Sequence, residues 1–112
     1  LKILFLFILL SVPSNCASFG AIAIDINSES SAYAVNFSTI SAAITRINED
    51  CDNCDMVKTF KNNCAAIAKG YGAYGWGISK SLPIAKKTAI DSCVNNNGKF
   101  CTIRAFGCDF RV

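Results

Sequence analysis

The sequence predicts an α+β fold: one domain of two tandem ββαβ repeats, with an antiparallel sheet, two helices and disulfide staples. Three observations predict it. Self-similarity at a period of about 41 to 45 residues brings Ala21-Ile22-Ala23 back as Ala66-Ile67-Ala68, and Ala32-Tyr33-Ala34-Val35 back as Ala73-Tyr74-Gly75-Trp76. Within each copy the apolar residues alternate with a period of two and then change to helical spacing. Cysteines fall at the same helix-to-strand junction of both copies. With 112 residues, 52% hydrophobic and 17% charged, the chain is too apolar for disorder and long enough for one core.

The elements follow in order. Residues 1–18 read as a secretory signal: Lys2, an apolar run to Leu10, then Pro13, Ser14 and Asn15 before the small residues Cys16, Ala17 and Ser18. The run is too short for a stable membrane span. Cleavage after Ser18 or after Ala17 fits. A lipidated Cys16 is disfavoured, because Pro13-Ser14-Asn15 lacks the residues such a signal needs. The mature chain, residues 19–112, then divides into copies 19–62 and 63–112.

In the first copy Ile22, Ile24 and Ile26 alternate along a strand, Asn27 to Ser31 supply turn chemistry, and Tyr33, Val35 and Phe37 alternate again. Ser38 or Thr39 caps a helix with apolar positions Ile40, Ala43, Ile44 and Ile47, closed by Cys51. A third strand spans Asp55 to Lys61. The second copy repeats this with strands Ala66 to Lys69 and Ala73 to Ile78, a helix capped by Ser81 with Pro83 in its first turn, and a strand from Thr102 to Gly107. Thr59-Phe60 answers to Ala105-Phe106, yet the spacing from cysteine to phenylalanine differs by one residue. A one-residue slip turns a strand over, so the core face of these last strands stays unassigned.

Removal of Cys16 with the signal leaves six of the seven cysteines. Position in the repeat suggests Cys51 with Cys54 and Cys93 with Cys101 as local bridges, leaving Cys64 for Cys108. A redox role for Cys51 and Cys54 is disfavoured, because the pair follows a helix among Glu49, Asp50, Asp52 and Asp55, which raise a thiol pKa. With no histidine, zinc would have to take four of the six cysteines. The acidic run around Asp52 does not match a calcium loop. No metal or other cofactor is therefore expected.

The segment Tyr71 to Gly77 puts Tyr74, Trp76 and Ile78 on one strand face and glycine or alanine on the other. The favoured reading gives Tyr74 and Trp76 the core slots of Tyr33 and Val35, with Gly75 making room for a helix. The functional reading makes Tyr71, Tyr74 and Trp76 the contacts for a glycan or peptide. Charge is uneven. The second copy has Lys69, Lys80, Lys86, Lys87, Lys99, Arg104 and Arg111 against only Asp91 and Asp109, whereas acids outnumber bases in the first. These bases are spread out, which disfavours nucleic acid and fits an acidic partner or an anionic envelope polymer. No serine-nucleophile spacing is present.

Asn63-Cys64-Ala65-Ala66-Ile67-Ala68, Gly72-Ala73-Tyr74-Gly75-Trp76-Gly77, Ala89-Ile90-Asp91-Ser92-Cys93 and Cys101-Thr102-Ile103 leading to Cys108 carry a further inference. Together with Gly20 to Ala23 they resemble the bacterial family called domain of unknown function 4189, over essentially all of residues 19–112. The resemblance implies a small exported protein with several cysteines and transfers no catalytic residue. The acids and asparagines of the first half depart from the arginine-rich helix common in the family.

The expectation is an exported, disulfide-stabilised, non-enzymatic binding domain, secreted or periplasmic, acting on a protein or envelope polymer as an inhibitor, immunity factor or effector. The alternatives are an envelope hydrolase using Asp or Glu, and a structural assembly subunit.

Overall fold

In a computed structural model of the chain, the structure describes residues 18–110 except Ile26, Glu29 and the side chain of Met56. The expected signal segment, Ser18 apart, lies outside the described residues. The elements are β1 (Phe19–Ile24), β2 (Ser31–Phe37), α1 (Ile40–Asp50), β3 (Met56–Lys61), β4 (Asn63–Tyr71), β5 (Ala73–Ser79), α2 (Leu82–Asn95) and β6 (Lys99–Asp109).

Both helices begin where the sequence offers a cap. Thr39 has extended backbone and its hydroxyl accepts from the Ala42 N–H at 3.0 Å; Ser81 does the same for the Ile84 N–H at 3.4 Å. Each helix buries residues spaced by four, Ala43, Ile47 and then the cap Cys51 on α1, and Ala85, Ala89 and Cys93 on α2. Ile40 shares the face of Ala43 and Ile47 as expected, but at the first residue of the helix it is 44% exposed.

The strands form two antiparallel three-stranded sheets, ordered β2-β1-β3 and β5-β4-β6, and not the single sheet expected. The layer change occurs at Asn62, the one residue between β3 and β4, whose φ of 55° turns the chain out of the first sheet. The sheets pack face to face. Ile22, Ile24 and Phe60 of the first meet Ala65, Ile67 and Ala105 of the second, with Val35 at the margin. On the outer faces Ala21 and Ala23 lie beneath α1, and Ala66 and Ala68 beneath α2. The order of layers is helix, sheet, sheet, helix. Both central strands are thus buried on both faces, isoleucine inward and alanine toward a helix, which is why each reads as a nearly continuous apolar run.

Close approach of α2 needs glycine on β5. A Cβ on Gly75 would lie 2.6 Å from the Ala89 carbonyl oxygen, and one on Gly77 would lie 2.7 Å from the Thr88 Cβ. Their neighbours on the opposite face, Tyr74 and Trp76, are 37% and 40% exposed, so they are margin residues and not the full core residues of the favoured reading. Tyr33, placed in a core slot, is 59% exposed, because β2 is an edge strand that β6 only partly covers.

The unassigned face of β6 is settled by a bulge. Ile67 pairs with Ala105 and Ala68 with Ile103, leaving Arg104 as the extra residue. Phe60 therefore corresponds to Gly107 and not to Phe106: Phe60 is buried between the sheets, while Phe106 lies on the helix side with Lys86 Nζ 4.1 Å from its ring centre.

Three disulfides join Cys51 to Cys54, Cys93 to Cys101 and Cys64 to Cys108, at separations of 3, 8 and 44 residues. These are the pairs that repeat position suggests. Loop-closure entropy assigns them about 2, 2.6 and 4 kcal/mol respectively. Replacing Cys64 and Cys108 together by serine is expected to lower unfolding free energy by about 4 kcal/mol, roughly twice the loss for the Cys51 and Cys54 double variant, as read by urea denaturation. Gly75→Ala is expected to lose about 1 to 3 kcal/mol in the same assay, because the contact it creates is with helix backbone.

Candidate aromatic and basic site

β4 and β6, at nine and eleven residues, outrun the six-residue β1 that packs across them. On the overhanging end of the second sheet the residues that continue the Ile67 face are no longer covered. Lys69 stands there with Tyr74 opposite it on β5 and Thr102 opposite it on β6. Tyr71, two residues further along β4, is 74% exposed and meets the Phe100 ring edge-on at a centroid distance of 6.0 Å. Lys69, Gly70, Tyr71, Phe100, Thr102 and Arg104 line a recess of about 170 Å³.

Phe100 has an unusual backbone. Its φ is 58°, in the left-handed region where a bulky side chain costs roughly 1 to 2 kcal/mol, and its side chain is 82% exposed. Burial does not offset that cost. Phe100 stands next to Cys101, which is bonded to Cys93 on α2, and at a second register shift of β6 between Lys69 and Tyr71. Gly70 leaves space for the crossing, since a Cβ there would lie 2.9 Å from the Cys101 Sγ. A strained residue presented to solvent in this way is characteristic of a contact surface.

Of the three aromatic residues singled out from sequence, the structure brings Tyr71 and Tyr74 to this end, on either side of Lys69. Trp76 lies elsewhere. It pairs across the strands with Ile67, four residues and therefore about 13 Å along β4 from Tyr71, and the Lys58 Nζ sits 4.2 Å from its ring centre. That cation covers one face of the ring. Phe100 and Thr102 were not singled out, and Arg104 was counted only among the spread bases of the second copy, because no residue type marks a bulge. The positive charge is local: Lys69 and Arg104 line the recess, Lys99 precedes Phe100, and the Arg104 Nε–H donates to the Thr102 hydroxyl at 3.0 Å. Arg104 also borders a groove of about 510 Å³ between β2 and β6, lined by Tyr33, Leu82, Ala105 and Phe106.

The acids gather in another place. Asp25, Glu49, Asp50 and Asp52 line a cleft of about 350 Å³ beside Cys51. There the Ser28 side chain and the backbone N–H groups of Asn27 and Ser28 hold the Asp25 carboxyl below the usual range, opposite to the shift a general acid requires. Asp50 is exposed and paired with Arg46 at 3.1 Å. Among the described residues no group of three or more His, Cys, Asp or Glu is arranged to hold a metal ion. No helix of the described residues is long and apolar enough to cross a membrane.

Residues 19–108 match the family described as Domain of unknown function (DUF4189), and the chain belongs to it. No curated protein and no solved structure matches the chain.

The lowered Asp25 pKa fixes the sign of one pH effect. Its contribution is present above the unfolded value of about 3.9 and is lost as pH falls through the lower folded value. Asp25→Asn is expected to flatten the acid limb of a plot of urea midpoint against pH between roughly pH 5 and pH 2.

Proposed function

We propose that the chain is an exported, non-enzymatic binding domain whose ligand is an anionic polymer of the cell envelope, held at the aromatic and basic end of the second sheet. The leading segment, cut after Ala17 or after Ser18, acts as the signal, and the mature protein is secreted or periplasmic. Two ββαβ repeats, 19–62 and 63–112, make the domain. The common order of strands in the two sheets, central strand first, supports this division. The three disulfides suit an oxidising compartment.

The observation that carries the ligand assignment is the exposed Tyr71 and Phe100 pair, with Phe100 held in a strained backbone, beside Lys69 and Arg104. Ring faces offer stacking to sugar rings, and the cations match carboxylate or phosphate groups at fixed spacing. Tyr74 flanks the same surface, and Trp76 serves the packing of β3 on β5 through Lys58.

Polygalacturonate tests this reading, with dextran as the neutral control. The mature protein is expected to bind the polyanion with an affinity that falls as salt rises, and not to bind dextran. Phe100→Ala and the double variant Lys69→Glu, Arg104→Glu are each expected to weaken binding about tenfold or more, with the disulfides intact. Equal retention of dextran, or unchanged affinity in both variants, overturns the assignment. Cleavage of the polymer would favour the hydrolase, and concentration-dependent assembly without ligand the structural subunit.

A further inference from the structure

Asp109, on the face of β6 that meets the first sheet, is fully buried. Its Oδ1 accepts the Asn36 backbone N–H at 2.6 Å and the Ser18 hydroxyl at 2.7 Å. The Asn36 N–H is free to do so because β2 bulges there: Phe19 pairs with Phe37 and Ala21 with Ala34, and Asn36 has φ 66°. The second oxygen, Oδ2, is buried and has no hydrogen-bond partner among the described residues. A buried carboxylate oxygen without a donor is strongly destabilising unless a charge arrives to meet it.

We infer that this charge is the protein's own mature N-terminus. A peptidase of the envelope hydrolyses the Ala17–Ser18 bond: water supplies the hydroxyl that makes Ala17 a carboxylate, and the Ser18 nitrogen leaves as an amine that is protonated at neutral pH. Ser18 already touches Asp109 Oδ1 through its hydroxyl, and its nitrogen is three bonds from its own hydroxyl oxygen, within about 4 Å of it in any rotamer. The new α-ammonium group is thereby released in the neighbourhood of the carboxylate, where it can turn to pair with Oδ2. Cleavage one residue later would discard Ser18 and its bond to Asp109, so the geometry selects Ala17–Ser18 between the two cleavage positions that the sequence allows. The chain in this way carries a binding site for an α-ammonium group, filled only when the leader is removed, which ties the first strand of one sheet to the last strand of the other.

This inference rests on the export reading, and the experiment separates the two. The full chain is expressed with its leader in a bacterial host and the envelope fraction is analysed by intact mass. A mature chain beginning at Ser18 is expected; one beginning at Phe19 overturns the proposal. In parallel, chain 18–112 is released from a fusion with a free Ser18 amine and compared with the same chain acetylated there, which keeps the hydroxyl and removes the charge. Acetylation is expected to lower Tm by about 10 °C, and to have no effect in Asp109→Asn. Equal Tm values in the free and acetylated chains overturn the pairing. If the chain is not exported yet acetylation lowers Tm, the export reading fails and the pairing stands.

Discussion

The contact between the two sheets is the constraint on which the rest of the structure depends. Each sheet has a helix over one face and a row of larger apolar side chains on the other, and that second row can leave water only against its counterpart. Ile22, Ile24, Ile67 and Phe60 carry most of it, at about 1.5 to 3 kcal/mol for each fully buried side chain. Their gross contribution is on the order of 10 kcal/mol before chain entropy is subtracted, comparable to the whole net stability of an ordinary domain. Neither half, at about 45 residues, would hold such a face open to solvent alone.

Placement of side-chain volume follows from that constraint. Small residues lie where backbone must approach backbone: alanine on the central strands under the helices, glycine on β5 under α2. Large residues lie between the sheets, and where one sheet offers a large group the other is small, as with Gly107 opposite Tyr33 and Val35. The aromatic and basic end exists because the second sheet is longer than the first. Its exposed rings are the part of the inner face that ran out of partner.

The helices, their caps and most strands were legible in the sequence, because each rests on local chemistry: Thr39 and Ser81 as caps, alternation along β1 and β2, the two local cysteine pairs. The equivalence of Phe60 and Phe106 failed because it depends on whether Arg104 pairs or bulges, and nothing between residues 101 and 106 announces which. The face-to-face arrangement was hidden for a related reason. A strand buried on both sides and one buried on one side differ only in the size of their alanines and isoleucines, and that difference was read as one apolar face. Phe100 and Asp109 were out of reach because their roles are set by residues far along the chain, Tyr71 in one case and Ser18 and Asn36 in the other.

The bulges have a bearing on self-association. Two stacked three-stranded sheets leave four edge strands, each a template for an incoming strand of another copy. The irregularities at Asn36 and Arg104 break the edge ladders of β2 and β6, and β3 carries Lys58 and Lys61 along its edge. β5 has neither device: its register to β4 is unbroken from Ala73 to Ser79, and its side chains there are uncharged. The chain is thus shielded from edge-to-edge aggregation on three sides, and β5 is the edge where added strands would first take hold.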